Sequence, residues 1–200
     1  MNNMRIKGDE MSTITDNQRA AITVYLDTHP LSVGVGTAES ACSIAAINLA
    51  LTGELTDRIP DCMSEVVGYW IIGIQDAMPD ALRNSAEWKR LLPLAAGTGR
   101  AHEAEHLAIL MDWMWCTVLP IVQPTADAEG FGTEWKAMTE GKTEALADAA
   151  RFAAVAARYA DATLYAARAA YAAYAARDTA GAWETFDPCA VLARLIKETK

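Results

Sequence analysis

The sequence is short of the features that mark several protein classes. Its four cysteines, Cys42, Cys62, Cys116 and Cys189, lie far apart, and none forms a C-x-x-C pair. A small secreted scaffold held by disulfides carries them more densely, so the expected state is four reduced thiols in a cytoplasmic protein. No apolar run is long enough to cross a bilayer; the longest spans 66–74, and Asp112 interrupts the next. No secretory-type apolar segment follows the first residues. Basic residues are outnumbered, with 17 Lys and Arg against 26 Asp and Glu and a net charge of −9. That balance argues against a broad phosphate-binding face, so no direct contact with nucleic acid is expected. Strand-like alternation of useful length is missing, and the fold class expected is all-α. The nucleophile-elbow pattern G-x-S-x-G is also missing.

Alanine is what the chain has in excess. Between Thr143 and Arg177, 18 of 35 residues are Ala, and neither Pro nor Gly occurs from Thr143 to Ala180. Ala loses no side-chain entropy in a helix, so a continuous helix is expected over 143–180, about 57 Å long. Charged positions Glu144, Asp148, Arg151, Arg158, Asp161 and Arg168 form a slowly drifting stripe along it. The organisation expected is a single-domain bundle of about eight helices over 15–200, packed along this spar. Residues 1–14 are polar and unpatterned and read as a disordered leader, with Met11 as an alternative start. Asp16 is expected to cap a first helix that ends at His29-Pro30. Thr37 is expected to cap the second, which Gly53 stops. The third runs to about Ala77, apolar nearly all round and therefore buried. Ser85 caps a helix bent or ended at Pro93, and Arg100–Leu119 forms another, terminated by Pro120 and Pro124. A short helix surrounds Trp135 and Met138. Asp187-Pro188 opens the terminal helix, 188–199, with Asp187 at the cap and Pro188 in the first turn. Trp70, Trp113, Trp115 and Trp135 fall in apolar helices and read as core.

One motif carries a chemical mechanism. His102-Glu103-Ala104-Glu105-His106 matches H-E-x-x-H, whose spacing puts two imidazoles on one helix face to grip zinc, with Glu103 as base for a metal-bound water. Glu129 or Glu134 would supply a third ligand. Glu105 places a charge where such zinc hydrolases keep an uncharged residue, and no strand-rich segment precedes the motif. The favoured reading is an acidic first turn that complements the helix dipole, with no metal or cofactor; zinc held by His102, His106 and Glu129 is the alternative. Gly34-Val35-Gly36-Thr37 before a helix start is read as a loop and cap rather than a phosphate cradle.

Two surfaces read as candidates for binding. Residues 101–148 hold nine acidic groups against Lys136 and Lys142. Glu129, Glu134 and Glu140 are its expected contacts with a basic protein partner. In the Ala-rich stretch, Arg158, Tyr159, Tyr165, Arg168, Tyr171, Tyr174 and Arg177 combine the residue types enriched at interface hot spots. Four tyrosines on one helix cannot all face a single buried seam.

The stretches ACSIAAINLALTG (41–53), IPDCMSEVVGYWI (59–71), DAMPDALRNSAEWKRLLPLAAGTGR (76–100) and ILMDWMW (109–115) resemble an uncharacterised bacterial and prophage-type all-helical family with an Ala-rich tail. The resemblance implies a small phage or mobile-element accessory that binds host or defence machinery. The function expected is a non-enzymatic protein-interaction module, an anti-defence inhibitor in that setting, with self-association through the long helix a further possibility. The alternatives are the zinc-dependent hydrolase above and a helical protein with a small-ligand pocket between its Trp-rich helices.

Overall fold

A computed structural model describes residues 14–141 and 182–198. The Ala-rich stretch 143–180, with Arg158, Tyr165, Arg168, Tyr171 and Tyr174, lies outside the described residues, as do residues 1–13 of the leader. The described chain is all-α, with no strand among the described residues beyond two isolated bridges at Ala41. None of its helices is long and apolar enough to cross a membrane.

Two compact units are present, one of Met1–His106 with Leu192–Lys200, the other of Leu107–Val191. The first contains α1 (Asp16–Thr28), α2 (Ser43–Thr52), α3 (Glu65–Ala77), α4 (Asp80–Arg83) and α5 (Ala86–Ala95). α6 (Glu103–Trp113) begins in this unit and continues into the second. There follow a π-helical turn at Met114–Val118, α7 (Leu119–Ile121), α8 (Gln123–Ala128), α9 (Gly132–Gly141) and α10 (Ala182–Phe186). The last helix, α11 (Pro188–Lys197), returns to the first unit from Leu192 onward.

In the first unit α1 packs on α2 and α5, and α2 packs on α3. The core is built from Ile22, Leu26, Ile44, Ile47, Ile71, Ile74, Trp88 and Leu92, all buried. α3 is buried on every face but one, where Tyr69 is 67% exposed. In the second unit the indole N–H groups of Trp135 and Trp113 donate to the carbonyls of Leu119 and Phe186, at 3.0 and 2.9 Å. Each large ring is thereby buried without an orphaned donor. Trp115, expected in the core, is only half-buried.

Helix ends follow local chemistry, with several corrections. The cap of α1 is Thr15, not Asp16: Thr15 Oγ1 accepts the Gln18 N–H, and Gln18 Oε1 accepts the Thr15 N–H, a reciprocal box. α2 starts at Ser43, six residues after Thr37. Its cap is Cys42, whose Sγ accepts the Ala45 N–H at 3.3 Å. Thr37 instead closes a turn by accepting the Glu39 N–H. Pro93 sits inside α5 without ending it. Pro120 and Pro124 occupy the first turns of α7 and α8 rather than terminating a helix. Proline has no N–H to lose there. The π-helical turn just before Pro120, where the Leu119 N–H reaches back to the Met114 carbonyl, widens the helix and lets the chain pass the ring. Asp187 caps α11 as expected, accepting the Ala190 N–H at 3.0 Å, with Pro188 as the first helical residue.

Candidate functional site

The H-E-x-x-H stretch is the place where chemistry-bearing side chains converge, and they converge on the start of α3. Ser64 caps that helix, its Oγ accepting the Val67 N–H at 3.2 Å. Two more N–H groups of the first turn, those of Glu65 and Val66, have no acceptor within their own helix. Glu103 supplies it from α6: its carboxylate accepts them at 2.7 and 3.1 Å, and accepts the Ser64 hydroxyl at 2.6 Å. The Ser64 N–H is taken by Thr98 Oγ1 at 3.0 Å. His106, one turn after Glu103 and 0% exposed, places Nδ1 3.0 Å from Ser64 Oγ. Arg100 lies outside this knot, with Nη1 2.5 Å from the Glu65 carboxylate.

Proton counting fixes the roles. Ser64 has one hydroxyl hydrogen, and the 2.6 Å contact commits it to the Glu103 carboxylate. His106 Nδ1 must therefore carry a hydrogen and donate to Ser64 Oγ. Nε2 is buried with no hydrogen-bond partner among the described residues. Partial burial raises the Glu103 pKa, but the Ser64 hydroxyl and the Val66 and Glu65 N–H groups outweigh it and hold the carboxyl below its usual range. Burial pushes the His106 imidazole down; Glu103, the Leu195 backbone and Glu105 oppose this, His102 assists, and the net direction is down. The Leu195 main chain is among the groups that favour the charged ring.

The motif's residues thus perform a structural task. Both Glu103 oxygens are engaged, and His106 Nδ1 is turned to Ser64. The His102 and His106 ring centroids are 6.4 Å apart, edge to face. Among the described residues no group of three or more His, Cys, Asp or Glu side chains lies close enough to hold a metal ion. Glu129, the third zinc ligand considered, is the exposed C-cap of α8 and belongs to the other compact unit.

The acidic residues expected to meet a partner are all exposed in the second unit: Glu129, Glu134 in the first turn of α9, and Glu140. Glu140 lies 3.9 Å from Lys136, with both side chains about two-thirds exposed. Gly34 and Gly36 form no phosphate cradle. The Gly34 N–H donates to Asp76 Oδ1 at 3.1 Å, and the loop closes on itself through Ser32, Thr37 and Cys42.

Sequence reasoning passed over a second buried polar network. Gln75, 0% exposed, accepts the Ser43 N–H and hydroxyl and donates to the Ser32 carbonyl. Trp88 Nε1 donates to Ser43 Oγ at 3.1 Å, and the buried Arg83 reaches the Gln75 carbonyl at 2.7 Å. A glutamine inside an otherwise apolar helical run was the available signal. Comparison with family models, curated proteins and solved structures gives no match.

Proposed function

We propose that the chain is a non-enzymatic protein-interaction module that docks a basic partner. The observation that carries this reading is α6. Its inward positions Ile109, Leu110, Trp113 and Met114 are buried, while Leu107, 51% exposed, and Met111, 39% exposed, carry the apolar surface past the edge of that stripe into solvent. An apolar stripe that runs beyond the buried seam leaves large side chains for a partner to cover. Leu107 and Met111 are four residues apart, so they share a face, and Met adapts its shape to varied partners. Exposed Glu105 and Asp112 flank them, and Glu129, Glu134 and Glu140 add acidity. Like charge disfavours a second copy and favours a cationic protein surface. A cytoplasmic accessory role in a phage or mobile element, including inhibition of a defence protein, is consistent with the sequence resemblance and belongs to the same proposal.

The test is capture of partners by tagged protein, with bound chains identified by mass spectrometry. Leu107→Lys with Met111→Lys is expected to abolish capture. Glu129→Lys, Glu134→Lys and Glu140→Lys together are expected to weaken it and to flatten its salt dependence. Capture unchanged by both sets removes this surface from the account. Zinc found in stoichiometric amount and lost in His106→Ala supports the hydrolase instead.

A further inference from the structure

Two cations tie α1 to α5, one at each end of their contact. Arg19, in the first turn of α1, donates from Nη1 to the Pro93 carbonyl in the last turn of α5 at 2.7 Å. Lys89, in the first turn of α5, donates from Nζ to the carbonyls of Leu26 and His29 at the end of α1, at 2.8 and 3.0 Å. The ties run in opposite order along the two helices, so α1 and α5 lie antiparallel. Between them is a groove of about 480 Å³. Helical spacing sets its lining: Arg19, Thr23 and Asp27 lie four residues apart on α1, and Ala86, Arg90 and Leu94 four apart on α5. We infer that this groove binds a small anion bearing a phosphoryl group, held by Arg19, Lys89 and Arg90.

The ties leave donors to spare. Lys89 commits two of its three ammonium hydrogens, and Arg19 one nitrogen of its guanidinium. The Arg90 side chain is exposed and donates to nothing among the described residues. None of the three cations forms an ion pair among the described residues. Asp27 is the one carboxylate among the described residues that line the groove. Three cations and one carboxylate leave two positive charges there, in a chain whose net charge is −9. A carboxylate ligand would neutralise one of them; a phosphoryl dianion neutralises both. The planar fork of a guanidinium also meets phosphoryl oxygens two at a time. Leu26 and Pro93, both buried, and the half-buried Leu94 supply an apolar floor for an organic substituent on the phosphate. The volume falls within the range of about 300–1,000 Å³ usual for small-molecule sites. None of these residues belongs to the docking surface of Leu107 and Met111, so the two readings stand or fall separately.

The experiment is titration of the full chain with inorganic phosphate and with phenyl phosphate, followed by backbone-amide NMR at about 0.15 M salt. Saturable shifts are expected over 19–27 and 86–94, with a Kd of about 1 mM or below. Tighter binding of phenyl phosphate assigns the groove to phosphate monoesters, through its apolar floor; equal binding assigns it to the free ion. Arg90→Gln removes an exposed group with no partner among the described residues, so the fold is expected to survive while either ligand weakens about tenfold. Asp27→Asn removes the opposing charge and is expected to tighten binding about threefold. Arg58→Gln makes the same change of charge at an exposed position outside the groove and is expected to leave Kd unaltered. No saturable shift with either ligand, or a Kd that Arg90→Gln changes no more than Arg58→Gln does, overturns the proposal.

Discussion

Glu103 is a helix cap delivered from another helix. An N-cap residue ordinarily satisfies one or two N–H groups of its own helix. Ser64 does so for Val67, and Glu103 then takes Glu65, Val66 and the Ser64 hydroxyl, thirty-seven to thirty-nine positions away in sequence. The negative charge also meets the positive end of the α3 dipole. Glu103→Ala leaves these donors without their acceptor and is expected to destabilise the fold by about 2 kcal/mol, the scale of a lost cap with charged hydrogen bonds. Glu103→Gln retains acceptor oxygen and loses the charge, so about half that cost is expected. Denaturant midpoints for the two variants check the ordering; equal midpoints would show that the carboxylate contributes shape alone.

At the scale of elements, the loop between α1 and α2 shows what side-chain ties do for a segment without helix or sheet. Asn84 accepts the Leu31 N–H at 2.7 Å, Gln75 donates to the Ser32 carbonyl, and Asp76 accepts the Gly34 N–H. Gly34 and Gly36 both have positive φ, 61° and 78°. They differ in surroundings: a Cβ at Gly34 meets nothing within 4 Å, whereas one at Gly36 meets the Ser40 carbonyl oxygen at 2.1 Å. Gly34→Ala is therefore expected to cost about 1 kcal/mol, the left-handed penalty alone. Gly36→Ala adds a backbone collision and is expected to cost about 3 kcal/mol or more. Thermal unfolding of the two single variants measures the difference. The same element marks the limit of reading the sequence. Helix positions were legible because apolar spacing, Gly53 and the Ser85 and Asp187 caps act locally. The start of α2 was misplaced because Thr37 and Cys42 are both plausible caps, and the contact that fixes the loop, from Gln75, lies more than thirty residues away. The junction at Ser64 escaped for the same reason: H-E-x-x-H names Glu103 and His106, but nothing nearby in the sequence says that their target is the end of another helix.

For the molecule as a whole, charge and stability pull in opposite directions as pH falls. With a net charge of −9, acidification toward the isoelectric point of about 4.8 relieves self-repulsion, which alone would stabilise the compact state. Two groups at the α3 junction act the other way. His106 is held below its ordinary 6.5, so its contribution is present above that value and is lost as pH falls from it toward the folded value. Glu103 is held below its ordinary 4.5, so its contribution is present above 4.5 and is lost as pH falls through its folded value. Self-repulsion among exposed carboxylates is screened at ordinary ionic strength, whereas the Ser64 and Val66 bonds to Glu103 and the contact of His106 with Ser64 are partly or wholly buried and are screened less. The local terms are therefore expected to win: stability is highest above pH 6.5, falls in one step below that value and in a second below 4.5, and shows no maximum at the isoelectric point. Urea midpoints measured from pH 8 to pH 3.5 at 0.15 M salt check the profile. The double variant Glu103→Gln, His106→Asn starts lower and loses both steps; if it keeps the wild-type slope, the acid sensitivity resides elsewhere in the chain.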